Sequence, residues 1–436
     1  MKVAARLSPS RRGLLAIVGG TAAGQLIALV GAPIISRLYP PEVYGPFAVI
    51  SALVLPAATV AALRYELAIA VPVEDLEART LVSIGLRLSA TLSVAAAVVI
   101  AAIHRPLGHL LGVAPDVASL LVWVPAIAGL MAGFTVLNQM AIRKRAYGAI
   151  ARRNILQAGA VTVFQVVAGL LGGGAVGLAA GLALGQLVGL LSLAAALRPV
   201  LVLRVSKSQR RAVARRFRSF PLIMAPSGLI NSLGLQAPLL LASALFGSTV
   251  AGWLGMTQRV IALPIALFGL TLAQVFLGEF GAARRGSTQD LQVLFLKTSR
   301  RLMVVGVVVG AVLMLAGPLI FSRVLGSEWR QSGVYSSALA IGLIVQMVAS
   351  PLSQTIIVMG KNHYQAIWDV SRLVLCSLAV LVGFHVLKSD VGTMWLLGGI
   401  TAFMYALLWG ISWISVRGHA AAATPSLAAV SPAENP

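Results

Sequence analysis

Apolar stretches of about 20 residues, each closed off by a short polar connection, recur along the whole chain. A helix rises about 1.5 Å per residue, so a run of that length spans the roughly 30 Å of hydrocarbon in a bilayer. Twelve spans are read, at 13–35, 44–63, 81–103, 118–140, 154–172, 176–197, 221–246, 251–276, 302–322, 334–358, 365–386 and 393–416. The runs are continuous and do not alternate in polarity, which excludes the strands of a transmembrane barrel. The expected fold class is an all-α polytopic membrane protein of about 12 transmembrane helices.

Composition agrees. Hydrophobic residues make up 58% of the 436 and charged residues only 11%, where a soluble domain carries roughly 25% charged. Mean hydropathy is +0.92. The single cysteine, Cys376, lies in an apolar run, so no intrachain disulfide or cysteine metal cluster can form, and the five histidines show no ligand spacing. No metal site and no cofactor is expected. The stretch Gly13–Ser36 is about twice the apolar core of a secretory signal and lacks a convincing cleavage site, so the first helix is expected to remain.

A net charge of +22 in a soluble protein would suggest nucleic acid; here placement governs the reading. With the N-terminus inside, 27 of the 34 Lys and Arg fall in cytoplasmic connections and 5 outside. The inside set includes Arg64, Arg79, Arg152, Arg153, the basic loop from Arg198 to Arg218, Lys361 and Arg372. This asymmetry orients the chain with both termini cytoplasmic. No nucleic-acid partner follows.

Two echoes suggest a duplicated unit. Tyr44-Gly45-Pro46-Phe47 opens span two and Ala251-Gly252-Trp253-Leu254 opens span eight, each with a proline 11 or 12 residues past its glycine. Tyr147-Gly148-Ala149-Ile150 and Tyr364-Gln365-Ala366-Ile367 follow spans four and ten. Both pair a helix with the one six later. The expected organisation is an N-terminal lobe at 1–198, a basic connector at 199–219, a C-terminal lobe at 220–417 and a disordered cytoplasmic tail at 418–436, with a central cavity between the lobes. Six is even, so the lobes relate by an axis along the membrane normal, an arrangement suited to alternating access.

Two arginines are assigned to spans, Arg259 and Arg87. An arginine at mid-bilayer costs between about 3 and over 10 kcal/mol, so Arg259 is expected to face a cavity, while Arg87 lies close enough to the cytoplasmic end to snorkel. Arg64-Tyr65-Glu66 closes span two, read either as an interfacial ion pair with an aromatic anchor or as the inner lip of an anion site. Spans one and seven are polar and broken: Gln25 stands in the first, and Pro226, Asn231 and Gln236 in the second. Freed backbone groups at prolines need protein or a watery cavity, so both spans are candidates for cleft lining and bending. Span ten, with Gln346 and Pro351, is a third. Gly177, Gly181, Gly185 and Gly189 in span six form a packing face with no chemistry attached. Glu66 and Asp369 are read near cytoplasmic ends, leaving no deep acid, and no nucleophile constellation or phosphate-gripping loop is found.

The segment Ser36-Arg37-Leu38-Tyr39-Pro40-Pro41-Glu42-Val43-Tyr44-Gly45, followed by Leu63-Arg64-Tyr65-Glu66-Leu67-Ala68-Ile69, resembles bacterial polysaccharide flippases. These are the O-antigen and exopolysaccharide exporters of the multidrug/oligosaccharidyl-lipid/polysaccharide superfamily. The motifs cover roughly the first 75 residues; the later half matches by architecture. The resemblance implies a cargo, an oligosaccharide on undecaprenyl diphosphate, flipped across the bacterial inner membrane, and a cationic cavity to which Arg64, Arg259 and Arg87 would contribute. It also implies membrane lipids, a polysaccharide polymerase and chain-length machinery as partners. The competing expectations are a cation-coupled drug antiporter of the same superfamily and a membrane polysaccharide polymerase or ligase. The first would need buried carboxylates and the second an extended external catalytic loop; neither is read here.

Overall fold

The computed structural model describes residues 9–115, 118–198, 205–265 and 288–422. These residues are almost entirely helical. The long helices are α1 (Pro9–Leu38), α2 (Pro41–Ala61), α4 (Asp75–Leu110), α5 (Trp123–Arg143), α6 (Tyr147–Leu170), α7 (Gly174–Ala196), α9 (Ala225–Phe246), α10 (Ser248–Pro264), α11 (Thr288–Val324), α12 (Arg330–Leu352), α14 (Asn362–Val382) and α15 (Asp390–Ala422). Short helices α3 (Tyr65–Ala68), α8 (Lys207–Arg216) and α13 (Gln354–Val358) lie between them.

Ten helices among the described residues are long and apolar enough to cross a membrane. The expected fifth span, 154–172, is helical within α6, but Asn154, Gln157 and Gln165 dilute its apolar run. The expected eighth is described only as far as residue 265. Wide apolar faces on α4 (Val94, Val98, Ile103) and α11 (Val304, Val308, Leu315) are exposed, as surfaces that meet lipid must be.

Helix starts follow local rules. Pro41 stands in the first turn of α2, where its missing N–H costs nothing, and Ser206 caps α8 by accepting a hydrogen bond from the Gln209 backbone N–H at 3.2 Å. Several helices overrun their apolar stretches. α4 and α11 contain 36 and 37 residues, so the expected external loop from His104 is helical as far as Leu110. Span one, expected to be broken, is one continuous helix, because Pro33 near its C-terminal end is accommodated without interruption. Span seven does open irregularly, in a π-helical turn at Phe220–Met224 between Pro221 and Pro226. Of the expected connector, 199–204 lie outside the described residues. Of the expected tail, 418–422 continue α15 and the remainder lies outside them.

The helices repeat their choice of neighbours. α1 packs on α6, α4 on α5, α2 on α5, α5 on α7 and α6 on α7; six spans later α9 packs on α14, α11 on α12, α10 on α12, α12 on α15 and α14 on α15. α2 lies against both α9 and α10 where the two sets meet. The echo noted at Gly45 and Gly252 falls at this crossing. A Cβ on Gly45 would stand 2.0 Å from the Ser248 carbonyl oxygen, and one on Gly252 would stand 2.1 Å from that of Pro41. Only glycine allows the two backbones to come so close. Gly177, Gly181, Gly185 and Gly189 all face α6, as a packing face should.

One end of the bundle is tied across the two sets. Ser36 Oγ donates to the Leu325 carbonyl at 2.8 Å, Trp329 Nε1 donates to the Ser36 carbonyl at 2.9 Å, and Ser243 Oγ donates to the Leu111 carbonyl at 2.7 Å. The Tyr44 ring meets Trp329 edge-on at 5.5 Å. We call this the Tyr39 end. The opposite, basic end carries α8, held to α4 by an Arg216–Glu77 ion pair and to α3 by the Tyr65 hydroxyl, which donates to the Ala214 carbonyl.

Candidate functional site

Three adjoining cavities run through the middle of the molecule. The first, about 370 Å³, lies between α2, α5, α6, α7, α9 and α10 and is lined by Tyr44, Ser51, Gln165, Gln186, Gln236 and Arg259 among others. The second, about 420 Å³, shares Gln186 and Arg259 with it and adds Thr21, Gln25, Arg153, Asn154 and Gln157. The third, about 290 Å³, shares Gln236 and Gln258 with the first and adds Gln346, Arg372, Thr401 and Tyr405. Among the described residues, no carboxylate lines any of the three. The polar surface is carboxamide, hydroxyl and guanidinium, which suits an anionic and hydroxyl-rich occupant.

Arg259 stands where its isolation in an apolar run places it. It faces the first two cavities, and its Nη1 donates to the Tyr44 hydroxyl across the seam at 3.3 Å. Gln25 and Gln236 also line cavities. Asn231 does not; its carbonyl and its Oδ1 accept from Arg372 at 3.1 and 2.9 Å. Pro226 is exposed at the start of α9. Arg87 is exposed on α4 and lines none of the three cavities.

Arg64 lies at the basic end, in a left-handed turn of two consecutive non-glycine residues, Leu63 (φ 49°) and Arg64 (φ 60°). Its guanidinium passes over Gly228 of α9, where a Cβ would stand 2.3 Å from Nη2, and pairs with Glu66 at 3.5 Å. Tyr65 is packed into the core beneath this turn. Glu66 is buried; desolvation pushes its carboxyl above the ordinary range, against the weaker pull of its own backbone N–H and of Arg64. The contacts are an Arg64–Glu66 ion pair packed against α9, and Arg64 lines none of the three cavities.

Two arginines grouped with the cytoplasmic charges lie inside helices. Arg153 is in the second turn of α6, 8% exposed, with its guanidinium 3.1 Å from the Phe134 ring centre and Nη1 donating to Asn154 Oδ1 at 2.8 Å. Arg372 lies about one turn deeper into α14, 5% exposed, 4.6 Å over the Trp368 ring and 3.4 Å from Asp369. Asp369 is itself buried, not at a surface, because α14 starts before the apolar run does. The carboxamides Gln157 and Gln186, bonded to each other at 2.8 Å, were likewise not singled out. The usable signal was glutamine recurring inside otherwise apolar runs.

A helical bundle with a polar cavity between two similarly packed sets of helices is a membrane-transporter fold. The solved structures agree. A lipid II flippase, MurJ, in an inward closed conformation superposes with a TM-score of 0.71, at 11% identity over 92% of this chain and 90% of that one. A multidrug resistance MATE family transporter of the MOP superfamily in an inward-facing conformation gives 0.66, at 17% identity over 94% of each chain. A MOP superfamily transporter from Pyrococcus furiosus, described as having a binding pocket of reversed polarity, gives 0.63, at 18% identity over 96% and 97%. No curated protein matches the sequence. The sequence profile of one family matches residues 34–334, and the chain belongs to that family, the polysaccharide biosynthesis proteins.

Proposed function

We propose that the chain moves oligosaccharide units carried on undecaprenyl diphosphate from the cytoplasmic to the outer leaflet of a bacterial inner membrane, for surface polysaccharide such as O-antigen or exopolysaccharide. The observation that carries this reading is the cavity at the seam: Arg259 and Arg153, a wall of carboxamides and, among the described residues, no carboxylate. Guanidinium groups hold diphosphate oxygens bidentately, carboxamides exchange hydrogen bonds with sugar hydroxyls, and the prenyl tail can remain in lipid. Twelve spans in two lobes, 1–198 and 220–417, would rock about the α2–α10 crossing.

The positive-inside bias puts the basic end and both termini in the cytoplasm. The ties at Ser36, Trp329 and Ser243 then close the external side, and this is the state that awaits cargo from within. The reading makes the chain a carrier with no covalent chemistry of its own. It supplies a membrane polymerase and its chain-length machinery, with membrane lipids as its other contacts. The test is precursor sidedness: depletion should leave lipid-linked oligosaccharide on the cytoplasmic leaflet and abolish surface polysaccharide. Unchanged sidedness would sink the reading.

A second reading, a cation-coupled drug antiporter, is favoured by one feature, the buried Asp369. Arg372 pairs with it at 3.4 Å and stands between it and the third cavity. Proton- or sodium-dependent dye efflux from vesicles would revive that reading.

A further inference from the structure

Helix α8 lines none of the cavities, yet half of its residues are Lys or Arg and none is acidic. Its apolar side is turned into the protein. Val213 is buried, and with Phe217 just past the helix end it joins a cluster that includes Leu81 of α4 and Leu193 and Leu197 at the end of α7. Two of its cations are answered locally: Arg216 pairs with Glu77, and Arg210 Nη1 donates to the Val205 carbonyl at 2.6 Å. The others are not. Lys207, Arg211 and Arg215 recur at four-residue spacing on one side of the helix, and Arg218 follows its end. All four are exposed, and none pairs with a carboxylate among the described residues.

The neighbours of α8 set its depth. Leu81 stands where the expected third span opens and Leu197 where the sixth ends, so the buried side of α8 lies at the edge of the apolar layer. On the other side, Leu222, Ile223 and Met224 are 69%, 63% and 44% exposed. These large apolar side chains begin four residues past Arg218, where the expected seventh span meets lipid. A row of bare cations at that depth stands among headgroups, not in open solvent. Each Lys or Arg beside a membrane surface raises attraction for anionic lipid by roughly fivefold.

We propose that Lys207, Arg211, Arg215 and Arg218 form a docking surface for anionic phospholipid headgroups in the leaflet at the basic end. The surface is separate from the cavities and does not depend on the cargo. α8 is held to the first helix set by Glu77 and Tyr65, while the π-helical turn at Phe220–Met224 leads into α9 of the second. Bound lipid would therefore anchor the connector where the chain passes from one set to the other.

The test uses the full-length protein in phosphatidylcholine nanodiscs, with Cys376→Ala and a bimane fluorophore on Ala212→Cys, an exposed position of α8. The probes are phosphatidylglycerol and phosphatidylcholine, each carrying a nitroxide near the top of one acyl chain. At low salt the phosphatidylglycerol probe should quench with about fivefold higher apparent affinity or more. The preference should shrink in about 0.5 M salt, where screening is strong. Lys207→Gln, Arg211→Gln, Arg215→Gln and Arg218→Gln combined should abolish it, with a melting temperature near wild type. Arg211→Lys, Arg215→Lys and Arg218→Lys combined should keep it within about twofold, because headgroups are attracted by charge. Lys297→Gln, Arg300→Gln and Arg301→Gln remove three exposed charges from α11 and should leave it unchanged. Equal quenching by both lipids in the wild type overturns the proposal. So does a preference that survives the four glutamines, or that is lost equally in the α11 variant. Equal quenching with a shift in bimane emission on adding polyglutamate would also overturn it, and would give the surface to a soluble acidic partner.

Discussion

A charged side chain in a membrane helix is retained only where something answers it, so each arginine here is best read through its partners. Arg259 reaches a cavity and, among the described residues, is hydrogen-bonded only to a phenol, that of Tyr44. Arg259→Ala should therefore lower export at least tenfold with protein abundance unchanged, and Arg259→Lys should fail too, because an ammonium cannot make the paired contacts of a planar guanidinium. Full export in the alanine variant would reject the role. Arg64→Ala should also lower export by opening the lip over Gly228. Glu66 makes a different prediction. Its folded-state carboxyl lies above its ordinary value, so the folded protein binds the extra proton, and stability falls as pH rises from near 4.5 through the raised value. Glu66→Gln should remove that slope and melt a few degrees higher than wild type at neutral pH; parallel melting curves from pH 4.5 to 8 would contradict it. Arg259 was legible in the sequence because it interrupts an apolar run. Arg153 was not, since it stands beside Arg152 ahead of its apolar run and so reads as loop; Arg372 falls inside the expected span 365–386, but beside Asp369 near its cytoplasmic end, and so reads as a surface charge. The helix had already begun: α6 at Tyr147 and α14 at Asn362.

The same mismatch governs the helices. An apolar run marks where lipid is, but hydrogen bonding carries the helix past it, by about two turns at the start of α4 and almost four at the start of α11. Apolar length thus located the spans well and their ends poorly. Small residues told more. The glycine face of α7 reads as a packing face, and it meets α6; the Gly45 and Gly252 echoes fall at the crossing of α2 with α10, though nothing in one sequence shows that two such helices cross. If that crossing holds the Tyr39 end shut, Gly45→Val should prise it open. In a Cys376→Ala background with Phe47→Cys, buried near the seam, labelling by a membrane-impermeant maleimide from outside should rise several-fold in the valine variant. Equal labelling would mean that the crossing does not gate that end.

Across the whole molecule, charge falls into three populations with separate consequences. Most of the basic residues fall outside the expected apolar spans and, on the proposed orientation, would keep the basic end in the cytoplasm. Arg372 is neutralised in place by Asp369. Among the described residues, Arg153 and Arg259 have no carboxylate partner, and no acid lines the cavity beside them. This last population bears on energetics. A cargo carrying two negative charges, leaving a cytoplasm that is electrically negative, moves downhill by about 2.3 kcal/mol per charge per 100 mV, or roughly 4.6 kcal/mol if both cross the full field. On the proposed function the arginines stay with the protein, so the charge that crosses would be the cargo's own, and no deep carboxylate would be needed to carry a coupling cation. In proteoliposomes containing a fluorescent diphosphate-linked sugar lipid, a valinomycin-set potassium potential, negative on the basic-end face, should speed translocation away from that face. Reversing the potential should slow it. Identical rates under both polarities would mean that a compensating cation travels with the cargo, and the search for its site would then begin at Asp369.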